Sequence, residues 1–149
     1  MFEALREAFR QAVENFREEL GRDEAPGALA RIHRTLSREL SRAEGRLRSL
    51  ESDLEKVRKE AHAEANEAAV CLRREELAVR IDDLETARVA REYAGRHLRR
   101  QEILEEKGRV LATELHDRRD ELMDMKARLG ELLADSDGAP GVAGLGDPG

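Results

Sequence analysis

The chain has 149 residues, 40% of them charged and 3% aromatic, and its 27 basic and 33 acidic side chains leave a net charge of −6. The apolar content is mostly Ala and Leu set among Glu and Arg, which is the composition of long helices or coiled coil. Scarce β-branched and aromatic residues exclude a sheet protein and a deep apolar substrate pocket, and the acidic balance disfavours nucleic acid as a partner.

Residues 1–21 read as an amphipathic helix. Phe2, Leu5, Phe9, Val13, Phe16 and Leu20 recur at steps of three and four and share one stripe, while Glu3, Arg6, Glu7, Arg10, Glu14 and Arg17 occupy the other face. All three phenylalanines of the chain lie on this stripe. Gly21 suits a helix stop, and Pro26 suits the first turn of the next helix, where its missing N–H costs nothing.

Residues 26–134 contain no further proline. Leu36, Leu40, Ala43, Leu47, Leu50, Leu54, Val57 and Ala61 step alternately by four and three, which is a coiled-coil seam, and the seam is expected to weaken through Ala65, Ala68 and Leu72. A second seam runs through Leu104, Gly108, Leu111, Leu115, Arg118, Leu122, Met125, Leu129 and Leu132, with Gly108 and Arg118 as flaws. One unbroken helix would reach about 160 Å at 1.5 Å per residue. Folding back lets each seam cover the other, so an antiparallel hairpin is expected with its tip near residues 79–83. Asp82 is the expected cap of the second arm, with Glu85 three residues on in a variant capping box. Asn66 and Gly95 are the rival breaks. Residues 135–149 are rich in Gly and Pro with only Val142 and Leu145 as sizeable apolar residues, and they are expected to be disordered.

Catalytic and metal-binding patterns are missing. His33, His62, His97 and His116 have Ala30, Lys59, Ala94 and Thr113 three residues before them, so the Glu-x-x-His motif of bundle metal sites does not occur. There is no HExxH, CxxC, phosphate loop or dinucleotide fingerprint. The histidines therefore read as solvated or seam-edge residues. Cys71, the sole cysteine, reads as a small apolar filler with no internal disulfide partner. Arg73, Arg74, Arg96, Arg99 and Arg100 could bind phosphate or form a solvated face paired with Glu75, Glu76, Glu102, Glu105 and Glu106. No enzyme activity, cofactor or metal is expected. With no apolar run of membrane-spanning length and no signal-peptide order at the start, the chain reads as cytoplasmic.

The order of these segments resembles the phage-shock-protein A family, which includes the plastid vesicle-inducing protein and is related in fold to ESCRT-III. The resemblance rests on the Phe-bearing leader, the acidic proline turn DEAPGALARI that opens a long helix, the stretch ETARVAREYAGRH in the far arm, and EEKGRVLATELHDRRDELMDMKARL in the returning arm. It covers residues 1–132. It implies an all-α fold, a self-associating homo-oligomer at the inner face of the cytoplasmic membrane, a role in membrane maintenance or envelope stress response, and contact with a transcriptional activator ATPase. The family continues with further helices where this chain has its Gly/Pro tail, which puts polymerisation of the usual kind in doubt.

Two readings follow. In the first, the stripe Phe2, Leu5, Phe9, Val13, Phe16 and Leu20 enters a lipid surface. Side-chain charge over residues 1–20 is three Arg against five Glu, so insertion would be driven by the apolar face and not by attraction to anionic lipid. In the second, the chain is a soluble coiled-coil scaffold or adaptor, and the stripe packs on the hairpin or on another protomer. The first reading is favoured on the family resemblance. The seam of the hairpin is expected at Leu36, Leu40, Leu47, Leu50, Leu54, Val57, Leu111, Leu115, Leu122, Met125 and Leu129.

Overall fold

The computed structural model describes residues 6, 7, 9–11, 14, 15, 18 and 25–137, with side chains of the latter stretch described at 27 and 30–134. Helix α1 spans Ala25–Arg80 (56 residues) and α2 spans Leu84–Asp137 (54 residues); they pack against each other as a helical hairpin, and no strand occurs among the described residues. The described leader residues are also helical. Pro26 sits in the first turn of α1, where an N–H would have no intrahelical acceptor.

Both helices are long because nothing in them favours stopping. Asn66 and Gly95 lie inside helix, as the cost of about 1 kcal/mol for an interior glycine allows. Acid-before-base pairs at four-residue spacing, Glu55–Lys59, Glu76–Arg80, Glu92–Arg96 and Asp124–Arg128, line the exposed faces. Each contributes roughly 0.2–0.5 kcal/mol to its helix, in the orientation the helix dipole favours.

The turn falls at Ile81–Asp83. Asp83 N–H donates to the Ala78 carbonyl (2.9 Å) and Asp82 N–H to the Val79 carbonyl (3.1 Å), which is a Schellman closure. Asp82 takes the left-handed position at φ 60°. The N-cap of α2 is therefore Asp83, not Asp82 as expected from the sequence. Its carboxylate accepts Thr86 N–H (3.1 Å) and the Thr86 hydroxyl (2.6 Å). Asp82 cannot do this because its backbone is used to terminate α1. The two hydrogen bonds from Thr86, hydroxyl first and backbone second, hold the Asp83 carboxyl below its ordinary value. In the first turn of α2, the Glu85 carboxyl is likewise lowered, by its hydrogen bond and attraction to Arg88.

The chain divides into two compact units. One comprises the described residues up to Gly45 together with those from Arg118 onward, and the other is Arg46–Asp117. In the first, Lys126 pairs with Glu44 (2.5 Å), and Leu36, Leu40, Ala43, Leu122, Met125, Leu129 and Leu132 are buried. In the second, Glu75 stands opposite Arg91, Glu64 opposite His97, and Val57 opposite Gly108, so the two arms run antiparallel at a nearly constant offset.

Along α1 the inward positions are Leu36, Leu40, Ala43, Leu47, Leu50, Leu54, Val57, Ala61, Glu64, Ala68, Cys71, Glu75 and Ala78, all buried or half-buried. Along α2 they are Ala87, Ala90, Ala94, His97, Gln101, Leu104, Gly108, Leu111, Leu115, Arg118, Leu122, Met125, Leu129 and Leu132. Both series alternate threes and fours without a break. Leu72, expected in the seam, is 46% exposed, and its neighbour Cys71 takes the inward place. The expected boundary of the tail also moves, since α2 continues to Asp137; residues 138–149 lie outside the described residues.

Candidate interaction surface

The leader stripe is described at one position. Phe9 is 3% exposed, whereas the sequence places it on a free greasy ridge. Burying such a ring is worth about 1.5–3 kcal/mol, and nearby Arg6 pairs with Glu121 (3.0 Å), which also accepts a bond from Arg118 (3.2 Å). Within its unit, this part of the leader is docked on α2 through Arg6 and keeps its ring out of water. Phe2, Leu5, Val13, Phe16 and Leu20 lie outside the described residues.

Of the expected seam residues, Leu36, Leu40, Leu47, Leu54, Val57, Leu115, Leu122, Met125 and Leu129 are buried, while Leu50 and Leu111 are half-buried. The part of the seam nearest the turn escapes a search for leucine. Its inward residues are small or polar: Ala68, Cys71, Ala78, Ala87, Ala90 and Ala94 are all buried. The signal that could have located it is the uninterrupted three-four alternation, read through Ala, Cys and polar residues alike. Two polar crossings interrupt the alanines. Glu64 accepts from His97 Nδ1 (2.5 Å) and pairs with Arg100 (3.5 Å), and Glu75 pairs with Arg91 (3.0 Å). The Glu64–His97 pair is half-buried on both sides. It places a hydrogen-bonded polar contact in the seam, a device that sets register between helices.

The consequence for the surface is an inversion of the usual pattern. Between Ala68 and Leu98 small residues face inward and the large apolar residues face outward. Ten of the eleven large apolar side chains that are exposed among the described residues belong to Arg46–Asp117, so the effect is local to that unit. Ile81 is 75% exposed, Ile103 67%, Leu84 65% and Leu77 58%. At the turn, Leu77, Ala78, Ile81, Thr86 and the stem of Arg74 line an open notch of about 420 Å³. Farther along, a polar groove of about 390 Å³ runs past Arg58, His62, Gln101, Glu105 and Arg109, with its floor at Ala61, Ala65 and Gly108.

Two of the five arginines pair with acids, though not with those the sequence suggests. Arg96 pairs with Glu92 and lies over the Tyr93 ring (5.3 Å to its centre), and Arg100 pairs with Glu64. Glu75, Glu76 and Glu106 are taken by Arg91, Arg80 and Arg109. Arg73, Arg74 and Arg99 are exposed. Cys71 is a free, buried thiol. No group of three or more metal-binding side chains occurs among the described residues, and none of the described helices is long and apolar enough to cross a membrane. Compared with family models, characterised proteins and solved structures, the sequence matches none.

Proposed function

We propose that this chain is a non-enzymatic, self-associating coiled-coil scaffold whose working surface is the outside of Arg46–Asp117. One observation carries this reading: between Ala68 and Leu98 the buried residues are alanines and a cysteine, while Leu72, Leu77, Val79, Ile81, Leu84, Val89, Tyr93 and Leu98 are exposed. Two helices offer little core of their own, and exposed apolar surface concentrated in one region marks a protein contact. Burying Phe9 moves the leader from the lipid side of the ledger to the protein side, which puts the scaffold ahead of the membrane reading.

The second reading is a peripheral membrane protein of the phage-shock-protein A type, acting at the inner face of the cytoplasmic membrane in the envelope stress response and touching a transcriptional activator ATPase. What favours it is the Phe-bearing stripe and the order of segments. It requires the leader to leave its unit, breaking the Arg6–Glu121 pair and exposing Phe9. Light scattering and co-sedimentation with phosphatidylglycerol/phosphatidylethanolamine vesicles test both, on the full chain and on a chain beginning at Pro26. The scaffold predicts a mass above one protomer at micromolar concentration and no vesicle binding. Vesicle binding that vanishes on truncation, and in a Phe9→Glu variant that keeps its helicity and melting temperature, would install the membrane reading. A strictly monomeric mass would refute self-association.

A further inference from the structure

We propose that two copies pair side by side, with their turns at the same end, through one defined face of Arg46–Asp117; this builds on the self-association proposed above and names its surface. The face consists of the residues that immediately precede each seam residue. On α1 these are Glu60, Ala63, Glu67, Val70, Arg74 and Leu77. On α2 they are Val89, Tyr93, Arg96, Arg100, Ile103 and Lys107. In an antiparallel pair, equal offsets from the seam fall on the same side. The notch at the turn shows the common side: Arg74 and Leu77 of α1 line it together with Thr86, which immediately precedes the seam residue Ala87 of α2.

The two rows are complementary to each other and not to themselves. The α1 row is acidic away from the turn, at Glu60 and Glu67. The α2 row is basic away from the turn, at Arg96, Arg100 and Lys107. Toward the turn the α1 row carries Val70 and Leu77 on either side of Arg74, and the α2 row carries Val89 and Tyr93. Glu60, Glu67 and Lys107 are exposed and form no ion pair within the protomer among the described residues. A two-fold axis parallel to the helices lays α1 of one copy over α2 of the other without changing axial level. The offset set by Glu75–Arg91, Glu64–His97 and Val57–Gly108 then brings Val70 between Tyr93 and Arg96 of the other copy and Glu67 between Arg96 and Arg100. Glu60 falls between Ile103 and Lys107, and Arg74 between Val89 and Tyr93. Laying α1 on α1 would oppose the acidic rows, and like charges across an interface act against association. A turn-to-base pairing would separate the two apolar turn ends.

Charge reversal on the full chain tests this by sedimentation equilibrium, with far-UV circular dichroism confirming that these exposed substitutions leave the helices intact. Glu60→Lys with Glu67→Lys, and separately Arg96→Glu with Lys107→Glu, should each weaken dimerisation about tenfold or more. An equimolar mixture of the two variants should recover most of the wild-type affinity, since positions 67 and 96 and positions 60 and 107 are again of opposite charge and only Arg100 keeps a like-charged neighbour; the four substitutions in one chain should do the same. With Cys71→Ala and a spin label at Glu85→Cys, the two turns of a dimer should give a short inter-label distance. Variants that dimerise as tightly as wild type, a mixture that stays dissociated, or labels far apart would each overturn this interface while leaving self-association standing. A wild-type chain that is monomeric throughout would overturn both.

Discussion

Gly108 is the apparent defect in the second seam, and the structure turns it into a quantitative prediction. It is buried in the helix pair of Arg46–Asp117, and a Cβ placed on it would meet Val57 Cγ1 at 3.8 Å and Leu54 Cδ1 at 4.0 Å. Both are ordinary van der Waals distances, so a methyl group enters without displacing either neighbour. Gly108→Ala therefore gains helix propensity of about 1 kcal/mol and a buried methyl worth roughly 0.8 kcal/mol. The sum is a stabilisation of about 1.5–2 kcal/mol. Urea unfolding followed by far-UV circular dichroism reads the difference as a rise in midpoint at unchanged slope. All chains must be compared at one concentration, since association shifts apparent stability. A lower midpoint for Gly108→Ala would mean that the arms close on the glycine more tightly than described, and the packing distances at this part of the seam would have to be abandoned.

Three further outcomes are expected. Asp82→Gly should raise stability by about 0.5–1 kcal/mol in the same unfolding assay, because Asp82 holds φ 60° and glycine carries no Cβ penalty there; no change would show that the turn is not strained. Asp83→Ala should lower the melting temperature at neutral pH by removing the cap on Thr86. Since the carboxyl is lowered below 3.8 in the folded chain, the stability it contributes is complete above its unfolded value and is lost as pH falls through the folded value. The melting-temperature gap between wild type and Asp83→Ala should therefore narrow only below about that pH, and a gap insensitive to acid would contradict the capping role. Ala94→Leu should destabilise by about 1–3 kcal/mol, as Ala94 is 1% exposed in the close-packed seam near the turn; a neutral result would show that the arms there are loosely packed.

Between Leu36 and Ala61, and again between Leu115 and Leu132, the hairpin is legible because leucine marks the inward face and the heptad period needs no other clue. The stretch around the turn is harder. There, the apolar residue with the larger side chain is not the inward one, as Leu72 and Cys71 illustrate. Hydrophobicity alone selects Leu72, but the continuation of the period from Ala68 to Cys71 to Glu75 selects the thiol. The capping position slips by one residue for a related reason. Asp82 and Asp83 are the same residue type, and which one caps depends on which one the departing helix uses for its left-handed closure.

Composition and period by themselves determine that this chain forms two long helices with a turn near residue 80, because local propensity and heptad spacing act within each arm. The helical character of the described leader residues follows from the same local rule. What only the tertiary structure decides is which surface is spent on the hairpin and which is left over. The antiparallel offset pairs Glu64 with His97 and Val57 with Gly108, buries the alanines, and exposes Leu77, Ile81, Leu84 and Ile103. It also decides that Phe9 lies against protein. These outcomes depend on contacts between residues far apart in the chain. No pattern within a single helix encodes how the other arm is aligned to it.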